Sequence, residues 1–268
     1  MKKLTIFAVA FAAVLFASCN GKKVDNNTDG TDSVKSFEQS QIEAAIKMDI
    51  DSIAAAYSKL KHPSFVQEDA DGQLSLSKEE KQVKPDYLLQ PSVAENATTL
   101  AEKYRILSAL NVDKKLAALY EMPTEDYDKS ITKLLADIND PSFKGLDDTK
   151  NIFETTSTLY DAMNENGRIN FFWQVASAAL IEQLFIINQN SDKFLSNVTD
   201  EAASDITYRI ILVLDAVKRL GEYDPEIQPV AEAIAPLEVL NATSVAELKT
   251  QMAEAKEKIE AARKALVK

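Results

Sequence analysis

Residues Ile169 to Ile187 read INFFWQVASAALIEQLFII, and this run decides the fold class. It contains no glycine or proline, one formal charge (Glu182), and far more residues than an ordinary strand uses. A helix this apolar has no broad face for water and must be covered on all sides. At about 19 residues it approaches the roughly 20 that cross a bilayer. Asn170, Gln174, Ser177, Glu182 and Gln183 would make insertion costly, so the expected role is a buried central helix over 168–189.

Such a helix needs helical neighbours, and the flanks supply them. No proline falls between Pro141 and Pro225, which allows helices at 147–166, 168–189 and 200–220, with Gly167 and Gly221 as the terminating residues. Ile206, Ile210, Val213, Val217 and Leu220 give the third of these an apolar stripe. Asp224-Pro225 reads as a cap and first-turn proline. After the capping box Ser244-x-x-Glu247, the residues Val245, Leu248, Met252, Ala255, Ile259, Ala262 and Leu266 form a three-heptad seam. Two alanines make this a weak isolated coiled coil, so packing on its own bundle is expected over pairing with another chain.

Towards the N-terminus, Ile42, Ile46, Ile50, Ile53, Tyr57 and Leu60 mark a first helix that stops before Pro63. A second is expected from Pro91-Ser92, with the box Ser92-x-x-Glu95 and the stripe Val93, Ala97, Leu100, Tyr104 and Leu107. Shorter helices are expected at 113–120 and 125–138, the latter burying Tyr127, Ile131, Leu134 and Ile138 and ending before Pro141. No segment alternates convincingly. The expectation is an all-α, multi-helix bundle of about eight helices occupying residues 36–268.

The chain has 268 residues, 46% hydrophobic and 27% charged, with a net charge of −12. Its acidity would repel phosphate backbones, so no nucleic-acid partner is expected. One Cys permits no internal disulfide, and one His (His62, expected at the surface) excludes zinc sites needing several Cys or His ligands.

The first residues carry a different signal. Met1-Lys2-Lys3 is a basic start, and Leu4 to Ala17 is almost wholly apolar but too short to span a bilayer. Its end, Leu15-Phe16-Ala17-Ser18-Cys19, resembles the lipobox of bacterial lipoproteins, and the chain's only cysteine stands at the required place. The resemblance covers residues 1–19. It implies a lipoprotein signal peptide over 1–18, acylation of Cys19 and a membrane anchor; Asn20, in place of an inner-membrane aspartate, implies the outer membrane of the cell envelope, facing the periplasm or the exterior. Residues 19–35 are polar and aperiodic, as a flexible tether requires.

Chemistry is harder to find. Two stretches imitate calcium loops. With Gly72 at the sixth position, Gln67 and Lys78 occupy the first and twelfth; around Gly167 those places fall to Ala162 and Trp173. Both lack the decisive carboxylates, so no metal is expected. No phosphate loop, nucleophile elbow or CxxC is present, and no cofactor is expected.

Arg168, Asn170, Trp173 and Gln174, with Glu182 further along, gather polar groups on the apolar helix, as a small-ligand pocket would. The alternative is that these groups bond within the core, with Glu182 paired to a cation such as Arg209. The leading expectation is a lipid-anchored, non-enzymatic binding or scaffold module with an envelope protein partner. The other is a small-ligand receptor or carboxylate-dependent hydrolase using a pocket near Trp173 and Glu182.

Overall fold

The computed structural model describes residues 37–60, 76–143 and 156–267. The expected signal peptide, Cys19, the tether, His62, the first calcium-like stretch at 67–72 and the start of the helix expected from 147 lie outside the described residues.

All secondary structure among the described residues is helical. The apolar run forms α6 (Ile169–Gln189). From Phe171 to Ile187 only Gln183 is even half-exposed, and 83% of its most apolar window lies inside the fold. It is the core helix around which the others are arranged.

Its most extensive partner is α3 (Leu100–Leu119). Two expected pieces merge here into one helix, and the reason is Asp113. Read as a helix start, it is instead fully buried in mid-helix, and nothing from 100 to 119 is a glycine or proline that would break the ladder. The start also moves: Pro91–Asn96 is a 3-10 segment, and the capping box is Thr99-x-x-Glu102 rather than Ser92-x-x-Glu95. Thr98 and Thr99 donate backbone N–H groups to Glu102 Oε2 at 2.8 and 2.9 Å, and Thr99 Oγ1 accepts the Glu102 N–H at 3.1 Å.

Those donors hold the Glu102 carboxyl down at about 2, below its ordinary 4.5. A depressed carboxyl contributes stability above its unfolded value and loses it as pH falls through the folded one. Glu102→Gln keeps the shape and removes the charge. It should cost about 0.5–1 kcal/mol near neutrality, discounted for solvent screening. Acid denaturation curves between about pH 4.5 and 2 should also flatten, which thermal melts across that range would check.

α4 (Glu125–Ile138) buries the four residues expected of it, Tyr127, Ile131, Leu134 and Ile138, and ends at Asn139 in the left-handed conformation, φ 48°. α2 (Lys78–Gln82) is a single capped turn. α1 (Phe37–Tyr57) lays Ile50, Ile53 and Tyr57 against α8 (Asp200–Gly221), whose buried stripe includes Ile206, Ile210, Val213 and Val217. α5 (Thr156–Glu165) ends at Gly167, φ 67°, where Arg168 N–H reaches Met163 O and Gly167 N–H reaches Asn164 O. That double closure needs a residue without a side-chain penalty at positive φ.

Gly221 stops its helix differently. Its φ is not positive, and a Cβ there would lie 3.4 Å from both Ala231 Cβ and Gln228 Cα, so glycine lets α9 (Gln228–Ile234) approach closely.

The C-terminal seam is split at Ala255 into α10 (Val245–Glu254) and α11 (Lys256–Leu266). Leu248, Met252, Ala255, Ile259, Ala262 and Leu266 are all buried within the chain, α11 lying against α6 and α9. The heptad pattern is thus satisfied in cis. With α7 (Ser191–Phe194), the described residues hold eleven α-helices and three 3-10 segments. The excess over eight comes from the short α2 and α7 and from the division of the last helix at Ala255.

Candidate functional site

The five residues singled out on α6 and its entry do not share one place. Asn170 and Glu182 are twelve residues apart, about 18 Å along a helix rising 1.5 Å per residue. Each belongs to a separate polar junction between helices.

At the N-terminal end, the Arg168 guanidinium lies 5.5 Å from the centre of the Phe171 ring, and Phe171 stacks on Tyr104 at 4.6 Å. The Tyr104 hydroxyl donates to Asp140, which also accepts the Ser142 N–H at 2.8 Å. These donors, with Arg168 nearby, outweigh burial and keep the Asp140 carboxyl below its ordinary range. Asn170 donates to Asp224 Oδ2 at 2.9 Å, tying α6 to the turn before α9.

One turn further, Gln174 is fully buried and fully used. Its Oε1 accepts from Arg105 Nη1 at 2.7 Å, and its Nε2 donates to Glu226 O at 2.9 Å. Arg105 Nε reaches on to Leu266 O, so one amide joins α3, α6, the α9 approach and the chain's end. Trp173 is sealed between Tyr57 and Phe172, both edge-on, at 6.0 and 5.1 Å. Its Nε1 and the Ser177 Oγ have no hydrogen-bond partner. The second calcium-like stretch ends on this tryptophan, whose fully buried ring cannot serve as the twelfth ligand.

Glu182 corrects an expectation. Its partner is Arg263 of α11, not Arg209, whose guanidinium stands over the Tyr57 ring. Arg263 grips both carboxylate oxygens: Nε at 2.8 Å from Oε2 and Nη2 at 2.7 Å from Oε1. It also lies 3.8 Å over the Phe185 ring and donates to Tyr87 O. Asp113, also fully buried, neighbours the same guanidinium: its Oδ2 accepts the Leu89 N–H at 2.7 Å and stands 3.9 Å from Arg263 Nη2.

Asp113 and Arg263 were not singled out from sequence. A signal exists for Asp113, which stands between Leu110 and Leu116 at steps of three, where the helix turns an apolar row inward; nothing local distinguishes Arg263 from its exposed neighbours.

Two buried acids around one base would suit proton-transfer chemistry if a substrate could enter. Glu182 and Asp113 are fully buried, Asp113 bonded to the Leu89 N–H and Glu182 held by the Arg263 fork. An open groove of about 410 Å³ lies elsewhere, between the 91–96 segment and α4, where Ser92, Glu95, Asp126, Lys129 and Lys133 face it. It holds none of the predicted residues. No group of three or more acidic, histidine or cysteine side chains among the described residues could hold a metal ion.

The fold and its polar junctions thus define an all-helical bundle with a buried centre in which Gln174 and Glu182 are bonded across helices. Compared with family models, curated proteins and solved structures, the chain matches none.

Proposed function

We propose that the protein is a lipid-anchored component of the bacterial cell envelope whose helical body acts as a non-enzymatic binding or scaffold module. The observation that carries this reading is Leu15-Phe16-Ala17-Ser18-Cys19, which puts the chain's only cysteine at the end of a short basic and apolar leader. Acyl chains on Cys19, at about 0.8 kcal/mol per buried methylene, would bind the protein to the membrane, and the polar residues after it would hold the bundle away from the lipid. Asn20 favours the outer membrane, with the body facing the periplasm or the exterior.

The scaffold reading draws support from how the candidate residues are spent. Arg168, Asn170, Gln174 and Glu182 each have a partner within the fold, and Trp173 is closed off by aromatic rings. Recognition of an envelope protein would then fall to the outer helix faces. A receptor or hydrolase centred on Trp173 and Glu182 would first have to open the core.

A Cys19→Ala variant tests the anchor. Expressed in a diderm bacterium, the wild-type protein should take up labelled fatty acid and sediment with membranes, whereas the variant should take up none and appear in the soluble fraction. Full membrane retention of the unlabelled variant would overturn the assignment.

A further inference from the structure

We propose that Asp113, Glu182 and Arg263 form a one-proton latch: the folded protein holds a single proton between the two carboxyl groups, and its loss as pH rises loosens the junction of α3, α6 and α11.

The count of charges and hydrogen bonds carries this. Asp113 and Glu182 are both fully buried and share one cation, Arg263 Nη2 lying 2.7 Å from Glu182 Oε1 and 3.9 Å from Asp113 Oδ2. Glu182 has taken that cation with both oxygens, and Arg263 stands no closer than 3.9 Å to Asp113. Asp113 Oδ2 is satisfied by the Leu89 N–H, while Oδ1, buried equally, faces no donor. Two ionised carboxylates would leave that oxygen bare and set two buried anions against one cation, in a medium that screens little. A single proton held by the pair leaves one anion for the one guanidinium, and the cluster becomes neutral.

Among the described residues, Arg263 is the cation that lies against this pair. α6 contributes Glu182, α11 contributes Arg263, α4 contributes Tyr127, and the segment before the 91–96 helix contributes Tyr87. Burial pushes both phenols above their ordinary range, so they stay neutral. Tyr127 donates its hydroxyl proton to Leu89 O at 2.8 Å and has none left for Asp113.

Burial first, then the Glu182 charge, raises the Asp113 carboxyl well above the usual carboxylate range. The folded chain therefore keeps a proton that the unfolded chain has released. Stability from this group is complete below the ordinary aspartate value, near 4, and drains away as pH rises towards the raised one. Deprotonation strikes the contacts that fasten residues 87–89 and α11: Leu89 N–H to Asp113, and Arg263 to Glu182 and Tyr87.

Asp113→Asn separates the proton from the shape, since its amide oxygen can accept the Leu89 N–H and its amide nitrogen can donate to Glu182 at every pH. Amide exchange of the full chain is followed from about pH 5 to about 9 and corrected for intrinsic rates, so that it reads the opening equilibrium. In the wild type, opening around 87–89 and across α11 should increase by up to about tenfold per pH unit until the proton is lost; in Asp113→Asn it should be flat.

An infrared titration supplies an independent reading: the wild type should show a buried carboxylic-acid carbonyl band that disappears as pH is raised. The proposal is overturned if wild-type opening does not depend on pH, if Asp113→Asn keeps the wild-type slope, or if the wild type lacks the carboxylic-acid band.

Discussion

Arg263→Ala is expected to lower unfolding stability by about 3–5 kcal/mol, because it strands Glu182 as a buried charge with no counter-ion beside a second buried acid. That is a large share of the roughly 5–15 kcal/mol that holds a domain together. Thermal melting should fall by roughly 10 °C, taking about 2–4 °C per kcal/mol for a domain of this size. Arg263→Lys should recover only part of the loss, since an ammonium cannot grip both Glu182 oxygens or lie flat on Phe185. Combining Arg263→Met with Glu182→Gln should be much less damaging than the two single losses added together, as neither leaves a charge for the other to neutralise. Denaturant titration of the four proteins gives the cycle. A loss under about 1 kcal/mol for Arg263→Ala would mean that water reaches Glu182.

Trp173→Ala should be comparably severe, about 3–5 kcal/mol, because it empties a fully enclosed volume between α1 and α6 that the Tyr57 and Phe172 rings can only partly refill. Trp173→Phe should be far milder. The indole N–H has no partner to lose, and a second aromatic ring keeps the edge-on contacts. Both can be measured by chemical denaturation of the full chain. If Phe proved as harmful as Ala, the indole nitrogen would have to be bonded to a group that its surroundings do not display.

The central helix was legible because nineteen residues with a single charge admit no solvated face, and the structure buries Phe171 to Ile187 with Gln183 alone half-exposed. The stripes on α4 and α8 were legible for the same reason, as each apolar residue returns to one face every three or four positions. Gly167 announced its turn because few other residues take φ near 67° at little cost. The start of α3 was misplaced because Ser92-x-x-Glu95 and Thr98-Thr99-x-x-Glu102 carry the same capping signal, and which one is used depends on how residues 91–96 pack over α4 and α3.

The candidate site was legible only in part. Gln174 and Glu182 declared themselves as polar interruptions of an apolar face, but their partners did not. Arg105 is 69 residues from Gln174 and Arg263 is 81 from Glu182, and no periodicity links residues so far apart.

By itself, the order of residues determined that the chain is all-helical, which faces turn inward, that the last heptads prefer their own bundle, and the leader motif on which the proposed anchor rests. Those properties follow from local spacing and side-chain chemistry, which act within a few turns of helix. The tertiary structure alone decided which cation meets which buried acid, that Asp113 joins Glu182, and that Trp173 is walled in. Such pairings depend on which helices touch and in what register, and a dry interior makes them matter, because a buried charge or hydrogen-bonding group must find its partner across the fold or leave its cost unmet.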